Sequence, residues 1–305
     1  MPDRRRADTL ADRFEEQRPH LRAVAYRMLG SLAEAEDVVQ DAWLRASRAD
    51  TAAVENLGGW LTTIVARLCL DRLRTRASRR EEPIDEALDA ALPDPVVSSP
   101  DGIDPEQEAL LADSIGLAML VVLETLSPAE RLAFVLHDTF GLPFEQIAPI
   151  VGRSTEATRQ LASRGRRRVR GATASIEVPL KRQWELVDAF LAASRDGNLA
   201  GLLEVLDPDV IARADVGPRP SAVGRSRVVR GVEAVTQQAM AFRHLAAGAR
   251  KALVNGSPGV VVFANGRPYA VIGLAFGRSG ITEMDFLVDP ERLARLDLSA
   301  VSAPA

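Results

Sequence analysis

Apolar residues at Leu10, Phe14, Leu21, Val24, Ala25 and Met28 recur at three- and four-residue spacing, which predicts an amphipathic helix stopped by Gly30. "SLAE" (Ser31 to Glu34) opens a second helix with the pattern of a capping box. In that helix Val38, Val39, Ala42, Trp43 and Ala46 form the inward side. Asp37, Gln40, Asp41 and Leu44 lie on a different face. "NLGGW" interrupts the pattern, and a third helix resumes it with Leu61, Ile64, Val65, Leu68 and Leu73 as its core side. Pro83, Pro93, Pro95, Pro100 and Gly102 then mark residues 81–103 as a linker. Two further helices are predicted from "DPEQ" at Asp104 to about Glu124 and from "LSPAER" to Gly141, each with a cap and Pro at its first position.

Beyond Gly171 the period changes. "QWELVDAFLAASRDGN", "NLAGLLEVL" and "GVEAVTQQAMAFRHLA" read as three helices. "KALVN", "GVVVFA", "YAVIGLAF" and "ITEMDFLV" follow as strands, separated by Gly- and Asn-rich turns. Helices followed by an antiparallel meander predict an α+β domain. The expected fold class is therefore multidomain: two all-α domains at 8–80 and 104–171, an acidic Pro-rich linker at 81–103, and an α+β cone at 180–296.

Charge sharpens this picture through its distribution. The net charge is −4, yet residues 67–80 hold six Arg against one Asp, and residues 153–170 hold seven Arg against one Glu. Between Glu81 and Arg131 there is no Lys or Arg and there are thirteen carboxylates. Two cationic stripes separated by an anionic segment fit two nucleic-acid contacts hidden in the total. The single cysteine, Cys69, excludes an internal disulfide framework and falls on a core position. With no apolar run of about 18 residues and no apolar leader, a cytoplasmic protein without membrane contact is expected. Three scattered histidines and one cysteine make no metal-ligand spacing, and no Gly-rich phosphate loop is present, so neither a metal nor another cofactor is expected.

The strongest local motif is a helix-turn-helix at 144–168. Ala148 supplies the small contact residue, Gly152 the turn, and Ile147, Val151, Thr158 and Leu161 the shared core. Ser154 is placed to cap the second helix. Arg153, Thr155, Glu156, Thr158 and Arg159 then lie at its groove-entering end, with Arg164, Arg166, Arg167, Arg168 and Arg170 further along for phosphates. Pro149 and Gly165 are unfavourable in helices and run against the pattern.

"AEDVVQDAWLRA" followed by "WLTTIVARLCLDRLR" resembles region 2 of the bacterial extracytoplasmic-function sigma factors, and residues 127–169 resemble their region 4. The resemblance implies that Asp37, Gln40, Asp41 and Leu44 dock on core RNA polymerase. It also implies that Asn56, Trp60, Thr62, Thr63 and Arg67 meet the melted −10 strand, while Arg72, Arg74 and Arg76 meet phosphates. Arg153, Ser154, Thr155, Glu156, Thr158, Arg159, Arg164, Arg166 and Arg167 would read the −35 duplex of promoter DNA. The common family pattern "ARN" is "ARL" here, at Leu68.

"ALPDPVV" (Ala91 to Val97) is similar to the subgroup carrying a C-terminal SnoaL-like extension of NTF2-like fold. That extension's two motifs are matched poorly by "DVGPRP" (Asp215 to Pro220) and fairly by "DPERL" (Asp289 to Leu293). The implied function is a sigma factor directing initiation from −35/−10 promoters, not an enzyme, with the extension as a built-in regulator contacting the sigma domains or the linker. Two alternatives are a helix-turn-helix regulator with a ligand-sensing cone, and a cone-fold enzyme with a DNA-binding appendage. The enzyme would need an acid or base in the cone, such as Asp188, His244 or Asp285, beside a donor such as Tyr269.

Overall fold

The structure, a computed structural model, describes residues 2–51, 54–79, 92–102, 116–172, 178–217 and 226–301. They divide into a helical unit, from within 1–83 and 122–172, and a sheet unit, from within 84–121 and 173–305.

In the helical unit α1 (Pro2–Leu29), α2 (Leu32–Ala46) and α3 (Leu57–Arg79) enclose Phe14, Leu21, Met28, Val38, Val39, Leu61 and Leu70. Ser31 caps α2 by accepting the Glu34 amide at 3.4 Å. Among the described residues the reciprocal half of the expected box does not form, because the Glu34 carboxylate pairs with Arg76 of α3. Cys69 is fully buried, and burial pushes its thiol up to about 12.

Helix α4 (Leu117–Glu124) is followed by α5 (Pro128–Phe134), whose Ser127–Glu130 capping box is complete. The predicted helix start at Asp104 lies outside the described residues. A π-helical turn, Val135–Thr139, extends α5. Then α6 (Phe144–Val151) and α7 (Thr155–Ala172) form the helix-turn-helix. Gly152 takes the left-handed conformation (φ 73°) that the turn requires, and Ile147, Val151, Thr158 and Leu161 are buried between the helices as their spacing predicts. Gly165 is explained by close approach: a Cβ there would lie 3.1 Å from Phe134 Cβ. Pro149 is exposed in the last turn of α6.

The same unit contains a link that periodicity does not show. Arg131 of α5, 2% exposed, donates to the carbonyl of Arg27 in α1 from Nε and Nη2 at 3.4 and 3.3 Å, and pairs with Glu124 at 2.9 Å. The Arg27 guanidinium lies 4.8 Å from the centre of the Phe140 ring. Helices α1 and α5 are thus joined within one core.

In the sheet unit α8 (Leu180–Asp196), α9 (Leu199–Val205) and α10 (Val232–Ala241) accompany a seven-stranded sheet. The strands are β1 (Val97–Ser98), β2 (Leu206–Asp215), β3 (Arg227–Arg230), β4 (Ala249–Val254), β5 (Ser257–Ala264), β6 (Arg267–Gly277) and β7 (Gly280–Leu287), in the order β1-β4-β5-β6-β7-β2-β3. Among the described residues, only β2 and β7 pair in parallel. The meander β4–β7 matches the expected strands. Strands β2 and β3 were not expected: Asp207, Pro208 and Asp209 carry loop chemistry, and β2 forms because it is sandwiched between β7 and β3.

The linker assignment also changes. Residues 92–98 are not a solvated connector; Leu92, Pro93, Pro95, Val96, Val97 and Ser98 are buried, and Val97 and Ser98 add an edge strand to β4. Glu81, Glu82, Asp85, Glu86 and Asp89 lie outside the described residues.

Candidate nucleic-acid interface and connector clasp

Helix α2 presents Asp37, Gln40 and Leu44 outward, with Leu44 51% exposed. Their spacing of three and four residues puts them on one stripe. Trp43 packs under that stripe with its ring centre 5.1 Å from that of Phe14. Asp41 is half-buried and accepts from Arg72 at 3.0 Å, so it braces α2 against α3 more than it faces out.

On α3 the predicted residues separate by role. Asn56 caps the helix, accepting the Gly59 amide at 2.9 Å, and stays exposed beside half-buried Trp60. Thr63 is half-buried with its hydroxyl on the Gly59 carbonyl at 2.9 Å. Thr62 is a correction: it is 2% exposed and donates to the Gly58 carbonyl at 2.8 Å, so its hydroxyl is unavailable to a strand. Leu68 is 7% exposed and faces the core, which removes position 68 from any base contact.

Arg67 is exposed and has no hydrogen bond or ion pair among the described residues. Arg72 and Arg76, expected at phosphates, instead hold the fold. Arg72 donates to the Glu34 carbonyl at 3.2 Å and to Asp41, and Arg76 donates to the Leu29 carbonyl at 3.1 Å and pairs with Glu34. Arg74 stays exposed, with one nitrogen 3.5 Å from the Val151 carbonyl.

On α7 the outward residues are Arg153 and Ser154 in the turn, then Glu156, Arg159, Gln160, Ser163, Arg164, Arg167, Arg168 and Arg170; Thr155 is half-buried. Ser154 caps the helix, accepting the Ala157 amide at 3.2 Å. Thr158 is the second correction: it is fully buried, its hydroxyl on the Ser154 carbonyl at 2.9 Å, and it belongs to the core. Arg159 pairs with Glu156 at 2.9 Å and lies over the Phe144 ring.

Three arginines are tied back to the scaffold: Arg166 to Asp138, and Arg164 and Arg168 to Glu130, each of those two at 3.0 Å. Burial alone would raise the Glu130 carboxyl, but the Ser127 hydroxyl and amide, with Arg168 and Arg164, hold it below the ordinary range. Arg153, Arg167 and Arg170 have no ion pair among the described residues. Gln160 was missed by the sequence reading; it lies one turn after Glu156 on the exposed side, and helical spacing from Glu156 is the signal that would have found it.

The sheet unit carries a second site. Arg292, in the short helix α11 (Pro290–Leu293), donates to Asp94 Oδ1 at 2.8 Å, to Asp215 Oδ2 at 2.7 Å and to the Leu92 carbonyl at 2.7 Å. Asp215 Oδ2 also accepts the Leu92 amide at 2.9 Å, and its Oδ1 accepts the Gly217 amide at 3.0 Å. Asn255, in the β4–β5 turn, exchanges hydrogen bonds with Val96: its amide donates to the Val96 carbonyl at 2.8 Å, and its Oδ1 accepts the Val96 amide at 3.1 Å. Three sequence stretches singled out separately, "ALPDPVV", "DVGPRP" and "DPERL", are therefore one clasp. Pro218 to Pro220 and Ala91 lie outside the described residues.

The cone's expected acid–base groups do not converge. Asp188 is exposed and paired with Lys251 at 2.9 Å, and His244 is exposed. Asp285 is 2% exposed and pairs with Arg213 at 3.0 Å beside Glu283. Burial pushes its carboxyl up to about 6, against the pull of Arg213. Met284 and Phe286, its neighbours on β7, line a cavity on the opposite face of the sheet, which Tyr269 also lines. Among the described residues, no helix is long and apolar enough to cross a membrane, and no group of three His, Cys, Asp or Glu side chains is placed to hold a metal.

Comparison with known proteins agrees with this geometry. Residues 13–79 match the family model of Sigma-70 region 2, and residues 117–169 that of Sigma-70, region 4. The chain is 36% identical over 293 residues to a probable ECF RNA polymerase sigma factor, SigI, of Mycobacterium tuberculosis, covering 94% of this chain and 95% of the relative. It is 43% identical over 226 residues to the ECF RNA polymerase sigma factor SigJ of the same species, covering 73% and 70%. The crystal structure of Mycobacterium tuberculosis SigJ matches with a TM-score of 0.75 at 34% identity, over 94% of this chain and 99% of that one.

Proposed function

The chain belongs to the extracytoplasmic-function RNA polymerase sigma factors, which give core polymerase its promoter-specific initiation, and we propose that its α+β domain restrains that activity by gripping the connector between regions 2 and 4. The observation that carries this reading is Arg292, which joins Leu92 and Asp94 of the connector to Asp215 of β2. The family is one of binding proteins, and the described residues lining the cone's cavity carry no carboxylate or imidazole.

Promoter elements at −35 and −10 are separated by roughly 80 Å at 3.4 Å per base pair. Regions packed together through Arg131 and the Arg27 carbonyl cannot reach both, so engagement requires them to part. A connector held by the cone limits how far they separate, which supports the cone as the restraint. Asp37, Gln40 and Leu44 form the polymerase-facing stripe in this reading, with Asp41 at its inner edge. Asn56, Trp60, Thr63, Arg67 and Arg74 serve the melted −10 strand, where a basic groove and an exposed ring suit unstacked bases. Arg153, Ser154, Glu156, Arg159 and Gln160 read the −35 major groove, and Arg167 and Arg170 meet its flanking phosphates. The protein works in the cytoplasm, beside DNA and polymerase.

Run-off transcription with core polymerase is the test, using the full chain, Arg292→Ala and a chain ending near Val178. We expect Arg292→Ala and truncation each to raise promoter-dependent output severalfold; a fall in both would overturn the restraint. Equal output from all three would remove the restraint, and no promoter-dependent transcript from any would count against the promoter-reading assignments.

A further inference from the structure

The sheet unit forms a partly open cavity of about 110 Å³ between α8, α10 and the sheet. Its wall is almost wholly apolar, including Phe190, Ala212, Val260, Ile272, Met284 and Phe286. Four side chains bring polar atoms to it: Gln238 and Tyr269 are half-buried, Arg243 is exposed, and Ser194 alone of the four is buried. Ser194, on α8, is 6% exposed, lines the cavity, and its Oγ has no hydrogen-bond partner. A hydroxyl in the interior of a helix ordinarily donates to the carbonyl four residues back, as Thr62, Thr63 and Thr158 all do here. Ser194 does not, and a buried hydroxyl without a partner is unfavourable unless something else completes it.

We propose that this cavity is a binding site for a small uncharged molecule that is mostly apolar and carries one hydrogen-bonding oxygen, such as a phenol or a short ketone, with that oxygen on Ser194 Oγ. An apolar cavity of about 150 Å³ holds benzene; the present space is smaller but partly open to solvent, so it suits at most a single ring. A charged ligand is disfavoured by the wall. Its one cationic side chain, Arg243, is exposed, so a carboxylate seated beside Ser194 would leave water without a buried partner.

The position has a consequence for the clasp. Ala214 and Val288 line the cavity; Asp215, next to Ala214 in β2, accepts from Arg292 in the clasp, and Asp289, next to Val288, caps α11, which carries Arg292. The site itself does not depend on the clasp being regulatory, because occupancy is read by binding alone.

The full-length chain, titrated calorimetrically with phenol, toluene and benzoate, tests the proposal. Phenol is expected to bind saturably and about three- to tenfold more tightly than toluene, the factor one net hydrogen bond of about 0.5–1.5 kcal/mol provides. Ser194→Ala is expected to keep toluene binding and erase the preference for phenol. Ala212→Phe fills the cavity and is expected to abolish both. Should that variant not fold, the Ser194→Ala comparison stands by itself. Absence of saturable binding by phenol and toluene would overturn the site. A phenol preference that survives Ser194→Ala, or benzoate binding more tightly than phenol, would overturn the assigned chemistry.

Discussion

Helices α3 and α7 are both rich in arginine, yet they employ it differently. On α3, Arg72 and Arg76 point back to carbonyls and carboxylates of α1 and α2; among its described side chains Arg67 is the unpaired outward cation, and exposed Arg74 is shared with Asp71 and the Val151 carbonyl. On α7, Arg153 at the turn and Arg167 and Arg170 along the helix face water without ion pairs among the described residues, while Arg164, Arg166 and Arg168 are shared with Glu130 and Asp138. The charge that a helix carries in sequence is therefore not the charge it offers to DNA. What it offers is the part no neighbouring carboxylate or carbonyl has claimed.

The largest effect is expected at Arg131 of α5, which like Arg27 is only 2% exposed. Arg131→Ala leaves Glu124 and the Arg27 carbonyl without their partner, and is expected to destabilise the helical unit by about 3–5 kcal/mol in urea unfolding. A loss below about 1 kcal/mol would mean that this link does not hold the regions together.

Next comes Arg213, the internal arginine of the sheet unit, probed through Asp285. That carboxyl titrates near 6 when folded, against an ordinary value of 3.8. Between roughly pH 4 and 6 the folded state then holds more protons than the unfolded one, so Asp285's contribution to stability falls as pH rises across that window. Asp285→Asn is expected to remove a fall of up to about 3 kcal/mol, leaving Arg213 paired with Glu283. An unchanged pH profile in urea titrations would refute this assignment.

A smaller effect separates outward from inward arginines directly. Replacing Arg153, Arg167 and Arg170 together with Ala is expected to lower the salt dependence of holoenzyme binding to promoter DNA by about 0.9 per lost phosphate contact, with little change in stability. Arg72→Ala is expected to do the reverse: about 0.5–1 kcal/mol of stability, and an unchanged salt slope. Interchanged outcomes would break the comparison. The smallest expected change belongs to Thr158→Val, which removes one internal hydrogen bond at about 1 kcal/mol and leaves promoter sequence preference intact; Gln160→Ala should relax that preference.

Much of this was legible in the chain. Spacing located α2, α3, the helix-turn-helix and the meander β4–β7, because amphipathic period and turn chemistry are local properties. Thr158 shows the limit even inside a well-read motif: its position fits both the shared core and the groove-entering end, and only packing against α6 decides. Strand β2 shows another limit. Its Asp-Pro-Asp start reads as a loop until β7 and β3 supply partners on both sides. Asp215 sits in a stretch that matches its family motif poorly, yet it accepts from both Arg292 and Leu92.

The sequence by itself determined the order of modules, their helical or extended character and the two cationic stripes, since each depends on residues within a turn or two of one another. Only the tertiary structure decided which arginines remain available, that the Pro-rich connector becomes an edge strand held by Arg292, and that Ser194 is left without a partner in an apolar cavity. These depend on groups tens to hundreds of residues apart meeting at hydrogen-bond distance. Asp94 and Arg292, separated by 198 positions, are the plainest case. The stretch that first reads as a spacer of prolines and carboxylates is held by Arg292 at Leu92 and Asp94, and at Val97 and Ser98 it becomes the sheet's own edge.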